Sequence, residues 1–127
     1  MPQRDMVVLG ALALLIPLLL ACFAAFDRLV RFEYGSYRAR WESDGRPRGF
    51  FWRPSEAETF RSYLAQQRLS FTWLLSTPVW MREDPAARRL LRWLRGLVVA
   101  WHVAIICAAL VVYRWVIQTP VSNREDR

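Results

Sequence analysis

Residues 6–30 read MVVLGALALLIPLLLACFAAFDRLV, and residues 97–117 read LVVAWHVAIICAALVVYRWVI. The first stretch has no charged residue before Asp27, and the second has only Arg114, close to its end. A helix of about 20 apolar residues can span the hydrocarbon layer of a bilayer, because it satisfies its backbone polar groups internally. A long cationic side chain near the end of a span can reach the interface. The two stretches therefore predict two transmembrane helices.

The composition limits the alternatives to this architecture. The 127 residues leave room for one domain, and the apolar residues are concentrated in the two stretches, which leaves little for a water-soluble core between them. We therefore predict an all-α membrane protein, in which two antiparallel transmembrane helices flank a helical, basic cytoplasmic region. Cys22 and Cys107 both lie in apolar stretches, which favours packing over a disulfide or a metal role.

The first stretch allows two interpretations. It is an uncleaved anchor, or it is a lipoprotein signal with the cleavage-box-like sequence Leu19-Leu20-Ala21-Cys22. The apolar run continues past Cys22 to Phe26, which is long for the apolar region of a signal and favours the anchor.

The distribution of arginine predicts the orientation. The chain has a net charge of +7 and contains 18 arginines and no lysine, which suits bidentate recognition of phosphate or reflects a nucleotide bias of the source genome. Arginines cluster at both edges of the middle region, as Arg28, Arg31, Arg38, Arg40, Arg88, Arg89, Arg92 and Arg95. Because cytoplasmic segments are enriched in positive residues, the middle region should be cytoplasmic and both termini outside.

Helix signals divide the chain further. The predicted segments are a first transmembrane helix (6–30), a cytoplasmic region (31–84), a long helix (85–117) that contains the second span (97–117), and a tail (118–127). Asp84 suits the N-cap of the long helix and Pro85 its first position. Residues 44–47, Asp-Gly-Arg-Pro, supply turn chemistry.

A shorter amphipathic helix is predicted over residues 55–75. Ser55 and Glu58 have the spacing of a capping box, and Pro78 ends the pattern. Its apolar stripe consists of Phe60, Leu64, Gln67, Phe71 and Leu74. We expect this stripe to lie in the headgroup plane of the bilayer.

Close packing of small residues is the predicted contact between the two spans. Helices in lipid associate where small side chains allow their backbones to approach. The predicted faces consist of Ala13, Ala21 and Ala25 in the first span, and of Ala100, Ala104 and Ala108 in the second. His102 should then point away from the first span, towards lipid or a second copy of the chain.

No catalytic constellation, phosphate loop or zinc spacing is present in the sequence, so we predict no enzyme activity, metal or cofactor. Since His102 is the only histidine, a bis-histidine haem site would need a second copy of the chain. A hydrogen-bonding histidine at a helix contact is the plainer interpretation, although ionisable residues inside membranes are often functional.

Basic and aromatic residues of the middle region are the candidate contacts with lipid or a partner. Residues 46–53 read RPRGFFWR, which suits an anionic lipid surface, internal packing, or stacking on single-stranded nucleic acid. Between two spans the lipid surface is nearest, so no nucleic acid is expected. The candidate residues are Arg46, Arg48, Trp52, Arg53, Arg88, Arg89, Arg92 and Arg95.

Several short motifs carry a resemblance to a known family. The apolar N-terminal span, Gly49-Phe50-Phe51, the sequence YLAQQR at 63–68 and RRLLR at 88–92 together resemble the universal stress protein B family. The chain differs from that family in the segment 69–85 and in the tail after Trp115. The resemblance implies a small two-span inner-membrane protein of proteobacteria linked to stationary-phase stress, with no enzymatic residues to carry over.

Three functional hypotheses follow. The first is a non-enzymatic membrane protein that binds anionic headgroups, another membrane protein or a second copy of itself through its basic region, during stress. The second is an accessory subunit of a larger respiratory or transport complex. The third is a haem-carrying membrane protein that uses His102.

Overall fold

The structure, a computed structural model, describes residues 2–118, which are helical with no strand among them. Of the predicted tail, only residue 118 falls within that range. The elements are α1 (Gln3–Ser36), α2 (Arg38–Ser43), a short 3-10 turn (Ser55–Ala57), α3 (Phe60–Leu75), α4 (Val79–Glu83) and α5 (Pro85–Gln118).

Helices α1 and α5 are both long and apolar enough to cross a membrane. Each has 34 residues and is therefore roughly 50 Å long. Only 6% of the most apolar window of each helix is buried inside the protein, whereas the core helix of a soluble protein would be mostly covered. The prediction of two candidate spanning helices is thus confirmed.

Local signals at the ends of the long helices explain their limits. The α5 helix begins as predicted, since Asp84 Oδ1 accepts hydrogen bonds from the backbone N–H groups of Ala86 at 2.9 Å and Ala87 at 3.3 Å. The α1 helix ends where the Tyr37 N–H bonds to the Glu33 carbonyl oxygen at 2.8 Å. The predicted turn after α2 is also present, with Gly45 at a φ of 96°.

The start of α3 differs from the prediction. The helix begins at Phe60, and its N-cap is Thr59, whose side chain accepts from the Ser62 N–H at 3.2 Å. The predicted capping box of Ser55 and Glu58 is wrong, because Ser55 begins a separate 3-10 turn with no side-chain cap. The short helix α4, between Pro78 and Asp84, was not predicted.

A compact core lies in the middle of the chain, contrary to the expectation that too few apolar residues remain to build one. The Trp73 ring packs between those of Phe26 and Trp80. Its centroid lies 5.4 Å from that of Phe26 and 6.4 Å from that of Trp80. Trp41 is fully buried and donates to the Pro47 carbonyl oxygen at 2.9 Å. The core exists because the end of the first apolar stretch and the part of α5 before the second stretch both contribute apolar residues to it: Ala25, Phe26, Leu29, Val30, Ala87, Leu91 and Leu94.

The most extensive contact between elements joins α1 and α5. In the apolar stretches it includes one polar link, from Trp101 Nε1 to the Leu15 carbonyl oxygen at 3.2 Å. The prediction of alanine faces is only partly met. Ala25 and Ala108 are buried and Ala21 and Ala104 half-buried, but Ala13 and Ala100 are exposed. The physical reason is that α5 turns the large Trp101 ring towards α1, and the adjacent Ala100 is left outside.

Candidate membrane and lipid interface

A carboxylate clamp holds the basic aromatic loop against α1. Asp27 is buried and accepts three backbone hydrogen bonds, from Phe50 at 2.6 Å, Phe51 at 2.8 Å and Trp52 at 2.9 Å. A Cβ atom at Gly49 would lie 2.5 Å from the Asp27 carboxylate, so only glycine fits there. The clamp therefore fixes the backbone of this loop beside the end of the first apolar stretch.

The clamp also decides which side chains of this loop remain free. Phe50 stacks on Phe23 at 4.1 Å. Trp52 is half-buried against Tyr34, with ring centroids 5.0 Å apart. Arg48 is half-buried, and its guanidinium lies 5.3 Å from the centre of the Tyr63 ring. These contacts leave Trp52 and Arg48 engaged within the protein.

Two of the candidate arginines in the loop are exposed. They are Arg46, in the left-handed region at a φ of 55°, and Arg53. Both can meet an external anion without breaking an internal contact.

The candidate arginines of α5 also divide into two groups. Arg88, Arg89 and Arg92 are exposed. Arg95 is half-buried and donates to the Trp73 carbonyl oxygen through Nε at 3.1 Å and Nη2 at 2.9 Å. That carbonyl belongs to the last turn of α3, where helices leave acceptors unpaired. Arg95 is thus a structural residue rather than a lipid contact.

Helix α3 has apolar residues on two sides. Its buried residues are Ser62, Ala65, Gln66, Leu69 and Trp73. Of the predicted stripe, Phe60, Leu64 and Phe71 are exposed and Gln67 and Leu74 are half-buried, while Leu75 beside the stripe is also exposed. The exposed side-chain fractions are 73% for Phe60, 51% for Leu64, 68% for Phe71 and 87% for Leu75. The helix therefore has one apolar side in the core, which includes Leu69 and Trp73, and a second apolar side that the described residues leave largely exposed.

A buried acid lies next to this interface. Glu33 is fully buried, and neither of its side-chain oxygens has a hydrogen-bond partner within residues 2–118. Burial, followed by the effect of the neighbouring Asp44 carboxylate, raises the pKa of Glu33 to about 9. The group is therefore neutral at neutral pH. In the sequence, its only signal is a carboxylate shortly after an apolar run.

A second titratable pair links α5 to the segment before α2. The Tyr37 hydroxyl donates to Asp84 Oδ2 at 2.7 Å. This hydrogen bond raises the pKa of Tyr37 and lowers the pKa of Asp84. The same carboxylate caps α5, so both side chains have structural roles.

His102 is exposed and does not lie between the two spans. Its Nδ1 is 2.7 Å from the Val98 carbonyl oxygen. Because a carbonyl can only accept, Nδ1 carries the proton and Nε2 is the remaining ring atom for other contacts. Among residues 2–118, no group of three or more His, Cys, Asp or Glu side chains is arranged to hold a metal ion.

Comparison with protein-family models, curated proteins and solved structures finds no match to this chain. The resemblance to the universal stress protein B family therefore remains an expectation based on the short motifs.

Proposed function

We propose that this chain is a small, non-enzymatic integral protein of a bacterial inner membrane, whose basic middle region lies on anionic lipid at the cytoplasmic surface. In this proposal α1 and α5 form an antiparallel pair of spans, and residues 31–84 with the first turns of α5 form a cytoplasmic unit.

The outward apolar side of α3 is the observation that carries the proposal. Phe60, Leu64, Phe71 and Leu75 are exposed on one side of the helix, and an exposed apolar patch is typical of a protein or membrane interaction site. The bilayer interface is the nearest cover, because the core under α3 includes Phe26, near the end of the first apolar stretch, and Leu94, shortly before the second. Burial in lipid gains about 25 cal/mol per Å² of apolar surface.

Contacts along the two long helices support the antiparallel pairing. Arg4 and Arg114 line one groove, near the start of α1 and the end of α5. Cys22 and Leu94 line another, where α1 leaves its apolar stretch and α5 approaches its own. Residues early in one helix thus lie beside residues late in the other.

The distribution of exposed charge supports the cytoplasmic orientation. Exposed arginines gather around the folded unit, including Arg28, Arg46, Arg53, Arg82, Arg88, Arg89 and Arg92. Positive residues close to membrane ends remain on the cytoplasmic side. Among them, the exposed candidate contacts Arg46, Arg53, Arg88, Arg89 and Arg92 would also attract the anionic lipids of that leaflet.

Depth measurements by spin labelling test the lipid contact of α3. The full-length protein, with Cys22 and Cys107 replaced by serine, is labelled at position 64 or 71 and, as a matched control on the same helix, at position 61. We expect labels at Leu64 and Phe71 to be accessible to oxygen, which partitions into lipid. The label at Arg61 should instead be accessible to a water-soluble nickel chelate. Equal access of the nickel chelate at all three positions would contradict the proposal.

Reporter fusions test the orientation. A phosphatase fused after Ser122 should be active in the periplasm, and the same enzyme inserted at Asp44 should be inactive. The opposite pattern would invert the topology.

The stress association rests on the family resemblance alone. It predicts that a strain lacking this chain loses viability in stationary phase more rapidly than its parent, and that the intact gene restores survival. Equal survival of the two strains would remove this part of the proposal. A large partner that co-purifies in equal amounts would favour an accessory subunit instead.

A further inference from the structure

A shallow groove of about 510 Å³ lies on the outer side of α5, at the start of the second apolar stretch. Its lining consists of Arg89, Arg92, Trp93, Gly96 and Leu97. These residues recur at spacings of three and four, which places them on one face of the helix. The groove therefore combines two cations, an aromatic ring and an apolar floor, in that order towards the span.

The two arginines of the groove are not used by the fold. Arg89 and Arg92 are exposed and form no hydrogen bond or ion pair with the rest of residues 2–118, whereas Arg95, one turn later, is bound to α3. Trp93 is 64% exposed, although a soluble domain would normally cover so large a ring. Tryptophan and arginine are the side chains that favour the headgroup level of a bilayer.

Space for an apolar chain continues from the arginines into the span. No atom lies within 4 Å of the position that a Cβ atom would take at Gly96. Farther along the same face, Ala100 and Val103 are also exposed. An extended acyl chain can lie against this surface, where the exposed Val99 borders the small residues Gly96 and Ala100.

We infer that this groove is a binding site for one anionic phospholipid, with its phosphate between Arg89 and Arg92 and an acyl chain along Gly96, Ala100 and Val103. This inference rests on the proposed function, since it requires α5 to cross the membrane. Guanidinium groups match phosphate oxygens with paired hydrogen bonds, which explains two arginines one turn apart.

Charge favours a lipid over a second copy of the chain on this face. Small residues such as Gly96 and Ala100 also suit helix dimers. In a membrane, however, two copies have the same orientation, and a dimer through this face would bring Arg89 and Arg92 of both copies together. Four guanidinium groups would repel one another, whereas a phosphate neutralises them.

Native mass spectrometry of the full-length, delipidated protein tests the site. The protein is titrated with phosphatidylglycerol or, separately, phosphatidylcholine in detergent. We expect one phosphatidylglycerol to be retained at least about tenfold more tightly than phosphatidylcholine, in line with two arginines at the membrane surface. The double variant Arg89→Gln/Arg92→Gln should lose this preference. The matched control Arg28→Gln/Arg82→Gln removes the same charge from exposed positions outside the groove and should keep it.

Blocking the chain path provides an independent variant. Gly96→Leu retains both arginines but fills the space beside them, so it should also weaken the retention of phosphatidylglycerol. Thermal unfolding of each variant shows whether it is folded. An equal loss of preference in both double variants would overturn the inference and indicate diffuse attraction, while the α3 depth measurement would still decide the proposed function.

Oxidative crosslinking tests the competing occupant. Cys107 is free, exposed and on the same face as Gly96, since 11 residues make three turns of helix. In native membranes of a Cys22→Ser strain, a monomeric chain is expected after oxidation. A Cys107-linked dimer would overturn the inference in favour of a second copy.

Discussion

The two halves of the α1–α5 pair are held together in different ways. In the apolar stretches, the pair has outward-facing leucine, valine and isoleucine side chains, and Trp101 is linked to the Leu15 carbonyl. Around the folded unit, the same two helices are surrounded by stacked aromatic rings and by carboxylates and arginines that bind backbone groups. Each half therefore suits a different solvent. Lipid supports a bare helix pair, whereas water requires a core and satisfied polar groups.

The carboxylate clamp gives the largest expected effect. Gly49→Ala should place a methyl group against the buried Asp27 carboxylate and expel the loop, costing about 3 kcal/mol of the free energy of unfolding. Denaturant titration in detergent measures this change. The control Gly35→Ala lies in α1 with no atom within 4 Å, so it should be neutral or stabilise the helix. Equal stability of both variants would show that the loop is not essential to the unit.

The buried acid Glu33 should have the next largest effect on stability, and this effect depends on pH. Because the pKa of Glu33 is about 9 in the folded protein and 4.5 ordinarily, the unfolded chain loses this proton first. Stability should therefore be fully present below about pH 4.5 and decline as the pH rises to about 9. Glu33→Gln should flatten this decline and add about 2 kcal/mol at pH 8. Thermal unfolding across pH checks it, with the exposed Glu42→Gln as the control; a decline that persists in Glu33→Gln would contradict the assignment.

Arg95, the α5 residue that binds the end of α3, should have an intermediate effect on the free energy of unfolding. Arg95→Gln removes the hydrogen bonds to the Trp73 carbonyl and to Thr77 Oγ1. We expect a loss of about 1–2 kcal/mol, because the terminal carbonyl is left without its charged donor. Arg88→Gln removes an exposed charge from the same helix and should change unfolding little. Similar losses in the two variants would indicate a general charge effect.

The span contact has the smallest expected effect. Trp101→Phe removes the hydrogen bond to the Leu15 carbonyl and should cost about 0.6 kcal/mol, the average for polar contacts between membrane helices. His102→Leu alters an exposed neighbour and should leave the pairing of the spans unchanged. The separation of α1 and α5 in the two variants is measured by the loss of fluorescence transfer between probes on these helices during unfolding. A loss at position 101 as large as that of Gly49→Ala would break the contrast between the two halves.

The sequence predicted the elements whose signals are local. Long apolar runs predicted the two candidate spans, and Asp84 with Pro85 predicted the start of α5, because capping depends on neighbouring residues alone. The stripe on α3 was also visible from its spacing. Its N-terminus was placed too early, since Ser55 and Thr59 both suit a cap and only packing selects Thr59.

The features that depend on distant residues could not be predicted. Asp27 and Gly49 are 22 positions apart, and neither signals the clamp by itself. Likewise, the hydrogen bond from Arg95 to Trp73 depends on where α3 ends. Nothing in the sequence distinguishes Arg95 from the exposed arginines Arg88 and Arg92. The alanine pattern predicted a smooth helix contact, but Trp101 bonds to the Leu15 carbonyl and leaves Ala100 exposed, while Ala104 and Ala108 remain covered.

The uninterrupted course of α1 has a mechanical consequence. This helix runs from Gln3 to Ser36, with Pro17 in its apolar stretch, and enters the core of the folded unit. No proline interrupts it between Pro17 and Ser36, so in the proposed membrane orientation a change in bilayer thickness that tilts this part of the span also tilts the unit attached to it. The immersion depth of α3 would follow that angle, and the protein would then act as a lever that converts the thickness of a membrane into the position of a surface helix.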